Sequence, residues 1–203
     1  PNINIDTIYG PNVVISPIND IYYYCHFTNS CGTVRDSILI IVVEPSITAW
    51  NDTIICLGET ANLSATGAES YLWSPSTSLN SSYLPQVLAS PSSPTMYFVI
   101  GTDQFGCTSY DSVFVDLFPV PFIQTNPDVQ AFYGDDIQLY ATSATSGDYI
   151  WSPSEYLSCV VCDNPIANPE QNFFYVVSYT DENGCSASDS VYIYYNPVIY
   201  VPN

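Results

Sequence analysis

The stretch Tyr71-Leu72-Trp73-Ser74-Pro75 decides the fold, because it returns as Tyr149-Ile150-Trp151-Ser152-Pro153. The two tryptophans are numbered 73 and 151, so the copies lie 78 residues apart. A second block, Gly106-Cys107-Thr108-Ser109-Tyr110-Asp111-Ser112-Val113, returns at the same spacing as Gly184-Cys185-Ser186-Ala187-Ser188-Asp189-Ser190-Val191. A chain that repeats two separated motifs at one spacing is an array of small modules.

The apolar residues of the repeats follow the two-residue period of β-strands. Ser112 to Leu117 and Ser190 to Tyr195 alternate or run apolar, with β-branched and aromatic side chains. Sixteen prolines, with many Ser, Thr and Asn, interrupt such runs at the spacing typical of a β-sandwich, and no convincing amphipathic helix is found. The sequence therefore predicts an all-β chain of tandem small immunoglobulin-like sandwiches.

The repeat divides the chain into three modules. Module 1, residues 1–45, matches only the closing hairpin of the others and contains no Trp before it, so we interpret it as the back half of an immunoglobulin-like module. Module 2 covers 46–118 and module 3 covers 119–203. In modules 2 and 3 the turn before the last strand places Gly106 and Gly184 where a positive φ is expected.

The charge balance excludes several classes of partner. Arg35 is the one Lys or Arg against twenty Asp plus Glu, and the formal net charge is −19. Phosphate backbones and anionic membranes repel such a chain, so nucleic acid is not an expected partner.

The longest aliphatic run, Ile38 to Val43, is far shorter than the about 20 residues of a membrane span. No targeting segment is visible, and the expected export signal lies elsewhere.

Seven cysteines without a His/Cys metal cluster indicate an oxidising, extracellular compartment. We predict a Cys56–Cys107 disulfide that closes most of module 2. Phe132 occupies the Cys56 position in module 3, so Cys185 is expected to lack that partner. Module 3 instead contains Cys159-Val160-Val161-Cys162, for which a local structural disulfide is favoured over a zinc or redox site, since neither further ligands nor a thioredoxin-like context are present.

Cys25 lies where immunoglobulin-like folds place the cysteine of the strand before the closing hairpin turn. Its partner is either a cysteine upstream of Pro1 or Cys31. Both pairings stay open on the sequence.

Two tryptophans suggest either a core or a binding surface. Trp73 and Trp151 stand on the third strand of each sandwich, where such a residue normally fills the core, and this interpretation is preferred to stacking on sugars. Of the eighteen tyrosines, some must lie on the surface, where they are suited to stack on sugars or on neighbouring modules.

The sequence does not predict a catalytic site. His26 is the only histidine and lies in a strand between Cys25 and Phe27, so no catalytic residue is assigned. The carboxylate pairs Asp135-Asp136 and Asp181-Glu182 fall near glycines in predicted turns. The twelve-residue calcium loop is absent, so Ca²⁺ is only weakly indicated, and neither another cofactor nor a metal site is predicted.

The run from Leu72-Trp73-Ser74-Pro75 through Pro94-Thr95-Met96-Tyr97 to Gly106-Cys107 and Asp111-Ser112-Val113 resembles modules of very large surface proteins of Bacteroidetes. Trp151-Ser152-Pro153 with Leu157-Ser158-Cys159 is similar. These are polycystic-kidney-disease-like (PKD-like) and immunoglobulin-like repeats in gliding-motility adhesins and other type IX secretion cargo. The resemblance covers 46–203 well and 11–45 moderately. It implies that the closing residues 196–203 are a linker toward a C-terminal sorting domain absent from this sequence.

The same resemblance implies O-glycosylation at Asp followed by Ser or Thr and then a small or aliphatic residue. Five positions fit this pattern: Thr7, Ser37, Thr53, Ser112 and Ser190. The alternative is that Asp-Ser-Val simply opens a strand after a turn. We expect at least two of the five to be modified.

These observations predict a non-enzymatic stalk or adhesin segment of a secreted protein associated with the outer membrane, which either holds a distal region away from that membrane or assembles into a surface filament. Its expected partners are neighbouring modules of the same chain, other copies, the outer-membrane secretion machinery and glycans. The alternative is a set of carbohydrate-binding accessory modules of a secreted hydrolase, which loss of glycan binding in Trp73→Ala without unfolding would favour.

Overall fold

The structure, a computed structural model, describes residues 12–43, 45–132 and 134–196. Thr7 and the predicted linker from 197 onward lie outside the described residues. The described part consists of β-strands joined by turns and loops, which confirms the all-β prediction. No helix in this part is long and apolar enough to cross a membrane.

The first element is an isolated hairpin. Strand β1 (Ile21–Asn29) pairs antiparallel with β2 (Gly32–Ile40), from Ile21 opposite Ile40 to Asn29 opposite Gly32. Most of its side chains are exposed, including the apolar Phe27 and Val34, and the two strands form a sheet of their own. Arg35 stacks over the ring of Tyr24 at 3.8 Å from its centroid, a cation–π contact.

Module 2 folds into two facing sheets. Its strands are β3 (Thr48–Ala49), β4 (Thr53–Cys56), β5 (Ala61–Thr66), β6 (Ser70–Ser74), β7 (Gln86–Ala89), β8 (Thr95–Thr102) and β9 (Thr108–Phe118). One sheet has the order β3-β5-β7 and the other has the order β4-β9-β8-β6. Strand β4 runs parallel to β9, whereas the other pairs are antiparallel.

Module 3 repeats this plan with a more broken second sheet. Its strands are β10 (Ile123–Thr125), β11 (Val129–Phe132), β12 (Ile137–Gln138), β13 (Ala141–Ser143), β14 (Gly147–Ser152), β15 (Ile166–Ala167), β16 (Phe173–Asp181) and β17 (Ser186–Asn196). The four-stranded sheet is β11-β17-β16-β14, and β11 is again parallel to β17. The other layer consists of two pairs, β10-β13 and β12-β15.

Each of these modules has its own hydrophobic core. The buried residues of the first core lie between Ile47 and Val115, and those of the second lie between Ala131 and Ile193. Trp73 and Trp151 are each 1% exposed and are among the largest buried side chains of their cores. Alternate residues of each strand face inward, so apolar side chains at a two-residue period fill one core per copy.

Two strands of module 2 lie where the sequence indicates none. The Ser- and Pro-rich crossing between β6 and β8 contains β7, in which Val87 and Ala89 are buried and the intervening residue is exposed. The two-residue β3 pairs with β5 near the start of the module. Strands this short give a period-two signal too brief to recognise, so only the neighbouring β5 reveals them.

Candidate functional site

The feature that sequence reasoning missed is the junction between modules 2 and 3. On the module 2 side, Cys56 ends β4 and lies opposite Phe118, the last residue of β9. The amide of Leu57 donates to the carbonyl of Phe118 at 2.9 Å. Cys56 is therefore held at the end of module 2 from which the chain continues into module 3.

On the module 3 side, Cys185 lies in the turn between β16 and β17. One carboxylate oxygen of Asp181 accepts hydrogen bonds from the amides of Asn183 and Cys185, each at 2.9 Å. Gly184 has a φ of 82°, which a residue with a Cβ rarely adopts, and Gly106 in the matching turn has a φ of 84°. These values confirm the positive φ expected at both glycines.

Cys56 and Cys185 form a disulfide that spans 129 residues and joins the two modules, with a Cα–Cα distance of 5.5 Å. The predicted Cys56–Cys107 pairing is therefore wrong, and Cys107 is a free, exposed thiol. The reason is the direction of β4. Because β4 is parallel to β9, Cys56 lies beside the far end of β9, whereas Cys107 precedes that strand.

The separation rules out the intramodule bond. Strand β9 has 11 residues, so its two ends are roughly 35 Å apart at about 3.3 Å per residue. Disulfides need Cα atoms within about 7 Å. Cys185 also does not lack a partner. That expectation considered only the position of Phe132 in the same module, whereas the partner comes from the preceding module.

The two hairpin turns show what the junction adds. The carbonyl of Cys107 accepts the amide of Asp103, and the amide of Cys107 donates to a carboxylate oxygen of Asp103. Cys185 makes the same two bonds with Asp181, and all four distances are 2.9 Å. The turns thus have the same local structure. Cys185 is nevertheless 1% exposed, whereas Cys107 is exposed. Local sequence forms the turn, and the bonded neighbouring module accounts for the difference between the two cysteines.

A second disulfide joins Cys159 and Cys162 within module 3. The loop that it closes holds the core tryptophan, since Trp151 donates its amide to the carbonyl of Val160 at 2.9 Å and its Nε1 to that of Cys162 at 3.0 Å. In module 2 the same bonds run from Trp73 to Ser82 and Leu84, at 2.8 and 3.0 Å, without a disulfide. This bond is therefore a local clip on a loop that module 2 forms without one.

The cysteines of the first hairpin are not bonded to each other. Cys25 and Cys31 are free and exposed, so the Cys25–Cys31 alternative is wrong. Cys25 lies within the extended β1, and Cys31 lies beyond its end in the turn. Extended backbone separates such residues by well over the reach of a disulfide.

Sequence reasoning also missed Trp50, which is 64% exposed in the connection between β3 and β4. It borders an open cleft of about 530 Å³ whose other lining residues include Asn51, Asp52, Thr53 and Asn62. An exposed indole beside amide and carboxylate groups is chemically suited to stacking on a sugar ring and to bonding its hydroxyls. Neither buried tryptophan presents a face to solvent.

The Asp residues of the predicted glycosylation motifs have structural contacts. Asp111 accepts the amide of Ala49 at 2.8 Å, and Asp189 accepts the amide of Thr125 at 2.8 Å and its hydroxyl at 3.1 Å. These bonds tie the first strand of each sandwich to its last strand. Hydrogen bonds from the Thr125 amide, opposed in part by burial, lower the pKa of Asp189.

The hydroxyl-bearing residues of these motifs differ in exposure. Ser37 and Ser190 are exposed, whereas Thr53 and Ser112 are partly buried. Since a glycan needs an accessible hydroxyl, the first two are the better placed of the four described candidates.

The other residues that the sequence singled out, His26, Asp135 and Asp181, lie in the hairpin and in turns. His26 lies opposite Arg35 on the exposed hairpin. The carboxylates of Asp135 and Asp181 accept backbone amides in turns. Across residues 12–43, 45–132 and 134–196, no group of three or more His, Cys, Asp or Glu side chains is arranged to hold a metal ion.

The sheet orders define the class of the two complete modules. A four-stranded sheet with a parallel edge strand faces a smaller antiparallel layer, around a core tryptophan on β6 in module 2 and on β14 in module 3. This is the arrangement of immunoglobulin-like domains. Modules 2 and 3 are thus a tandem of immunoglobulin-like modules.

No protein-family model and no curated protein matches the sequence. Among solved structures, the chain is similar to the I9–I11 tandem of titin, at 14% identity over 91% of this chain and 76% of that one, with a TM-score of 0.43. It is also similar to DIP-gamma IG1+IG2, at 12% identity over 76% and 99% with a TM-score of 0.34. A third is the insect immune protein hemolin, at 12% identity over 86% and 56% with a TM-score of 0.37.

Proposed function

We propose that this chain is a non-enzymatic structural segment of a secreted surface protein, a stalk that holds a more distal part of the protein away from the cell. The observation that carries this proposal is the covalent link between two separately folded modules. A bond across the junction limits how far the modules can rotate about their linker. A restricted junction suits a spacer, whose purpose is to maintain distance.

Two further properties support a location outside the cell. Two disulfides persist only where the surroundings are oxidising. The net charge of −19 keeps neighbouring stalks apart and soluble at high surface density. We extend the proposal to an outer-membrane-associated adhesin of the Bacteroidetes type, exported by type IX secretion, with glycosylated hydroxyls, gliding or filament roles, and copies of itself, secretion machinery or glycans as partners.

A replacement experiment in the producing cell tests the stalk. Residues 46–196 of the native protein are replaced by an unrelated immunoglobulin-like pair of the same length, or by a Gly/Ser linker with the same number of residues. We expect surface display and cell attachment to survive the first replacement and attachment to fall with the second, because a flexible linker does not hold a distance. Loss of attachment with the unrelated pair, at unchanged display, would overturn the proposal.

Trp50 favours carbohydrate binding as a second candidate function. The buried Trp73 and Trp151 do not offer a face to a sugar, whereas Trp50 is 64% exposed beside Asn51, Asp52 and Asn62. Module 3 has Asn126 at the matching position, where it is 9% exposed, so this surface belongs to module 2 alone among the two complete modules.

A glycan array with the intact chain tests this second candidate. Binding that Trp50→Ala abolishes, and that Tyr83→Ala retains, would support it, since Tyr83 is an aromatic residue 74% exposed elsewhere on module 2. Absence of binding, or equal loss in both variants, would reject it. Because Trp50 is exposed, its replacement is not expected to unfold the module.

A further inference from the structure

The position of the Cys56–Cys185 bond determines how tension passes through the two modules. A pull on the chain enters module 2 at its first strand and leaves module 3 through its last strand. Cys56 ends the second strand of module 2, and Cys185 precedes the last strand of module 3. The shortest covalent path therefore passes from β3 and β4 through the disulfide into β17.

Nearly all of both cores lies outside that path. The bond closes a loop with a sequence separation of 129, and strands β5 to β16 belong to that loop. Both core tryptophans, Trp73 and Trp151, lie in it as well. Residues inside a closed loop cannot be drawn out by force applied outside it, even if they unfold.

The segments that do bear the load are short and individually anchored. In module 2 two hydrogen bonds anchor the first strands to β9, each at 2.8 Å. The amide of Ala49 donates to the carboxylate of Asp111, and the amide of Phe114 donates to the carboxylate of Asp52. In module 3, β17 is held between β16 and β11 by its two ladders. If every one of these contacts broke, residues 47–56 and 185–196 would yield only about 75 Å of extended chain.

We propose that the Cys56–Cys185 disulfide is a load-bearing cross-link, which carries tension past the cores of both modules and limits how far this pair can lengthen. The loop of 129 residues corresponds to about 440 Å of contour length that force cannot release, at roughly 3.4 Å per residue. The biological use of this cross-link rests on the proposed stalk function, whereas its mechanical effect does not.

A local staple within a single module would act differently. A Cys56–Cys107 bond would protect part of module 2 and leave module 3 free to extend. The observed bond instead protects both modules with one pair of cysteines. With this bond, module 3 is protected although it has Phe132, and not a cysteine, at the position that corresponds to Cys56.

Single-molecule force spectroscopy on the intact chain, held by handles at its two ends, tests the proposal. The oxidised protein is expected to extend by about 440 Å less than the same protein after reduction in place. Reduction in place avoids the question of whether a variant folds, since the chain is already folded when the bond is broken. Cys185→Ser should extend as far as the reduced chain, with one additional unfolding step per module.

Matched variants separate this bond from the other cysteines. Cys107→Ser removes an exposed free thiol, and we expect it to behave as the oxidised parent. The double variant Cys159→Ser, Cys162→Ser should also extend as far as the oxidised parent. The disulfide that it removes spans a separation of 3 and lies inside the larger loop.

Equal extension of the oxidised and reduced chains would overturn the inference, and so would a non-reducing peptide map in which Cys56 and Cys185 are unlinked. The spacer replacement is read out as cell attachment, so its outcome is measured independently of either result. Conversely, a failed replacement with a shortened oxidised extension would reject the stalk and leave the cross-link established.

Discussion

Cys56 and Cys185 are 129 residues apart in sequence, yet their Cα atoms lie 5.5 Å apart across the boundary between two folded modules. The bond makes the pair of modules one covalent unit in which each module keeps its own core. Closing a loop of this length reduces the conformational entropy of the unfolded chain, which raises its free energy by about 5 kcal/mol. That effect is shared by two modules, so neither is stapled internally by it.

Disulfide mapping is the most direct test of this connectivity. Protein collected under an alkylating agent and digested without reduction should contain linked peptides for Cys56–Cys185 and Cys159–Cys162. Cys25, Cys31 and Cys107 should carry the alkyl label, because they are exposed thiols. A linked Cys56–Cys107 peptide would contradict the structure and restore the pairing expected from sequence.

Trp73 and Trp50 should differ sharply in their contribution to stability. Trp73→Ala removes a side chain that is 1% exposed and donates to the carbonyl of Leu84, so we expect a loss of about 3–5 kcal/mol for module 2. Trp50→Ala should stay within about 0.5 kcal/mol, because its side chain is 64% exposed. Denaturant unfolding followed by circular dichroism measures both. Similar losses in the two variants would mean that the burial of Trp73 is incorrect.

Asp189 should make the stability of module 3 depend on acid pH. Its pKa is lowered in the folded state, chiefly by the hydrogen bond from the Thr125 amide. A lowered folded pKa contributes stability above the ordinary carboxyl pKa of about 3.9, and this contribution is lost as the pH falls through the folded value. Asp189→Asn should therefore be less stable than the parent at pH 7, with the difference shrinking below about pH 4.

Thermal unfolding between pH 7 and pH 2.5 measures that difference. Asp148→Asn is the matched control, because Asp148 is an exposed carboxylate of the same module. A difference between parent and Asp189→Asn that stays constant over this range would show that charge at Asp189 is not the cause.

Ser64 is expected to be dispensable although it is buried. Its hydroxyl oxygen has no hydrogen-bond partner, and its side chain is 5% exposed. Because an unsatisfied buried hydroxyl costs about 1–3 kcal/mol, Ser64→Ala should leave stability unchanged or raise it. Ser78→Ala is the control, since its hydroxyl bonds the buried Tyr97 hydroxyl, and it should destabilise module 2. A lower unfolding midpoint for Ser64→Ala than for Ser78→Ala would refute this.

Much of the fold follows from local pattern. The period-two runs predict the long strands β9 and β17, and the glycines predict the turns that precede them. These features depend on neighbouring residues, so a single sequence suffices to find them. Strand β7 was missed because it has four residues in a Ser- and Pro-rich crossing, and pairing with β5 defines it.

The candidate sites, in contrast, did not follow from local pattern. The cysteines were easily found, but the partner of Cys56 was assigned from an assumed place within one module. Trp50 carries no repeat counterpart, since Asn126 stands at its position, and so the repeat pattern gave no reason to single it out. Exposure, the property that distinguishes it from Trp73, is known only once the strands are packed.

By itself, the sequence determined that the chain is a β-rich array of copies, because repetition, strand period and turn chemistry are properties of residues close together in the chain. Only the tertiary structure decided which cysteines meet and which tryptophan faces solvent. The physical reason is that a disulfide depends on a distance of a few ångströms between atoms, and the parallel pairing of β4 with β9 carries Cys56 away from Cys107 and toward module 3.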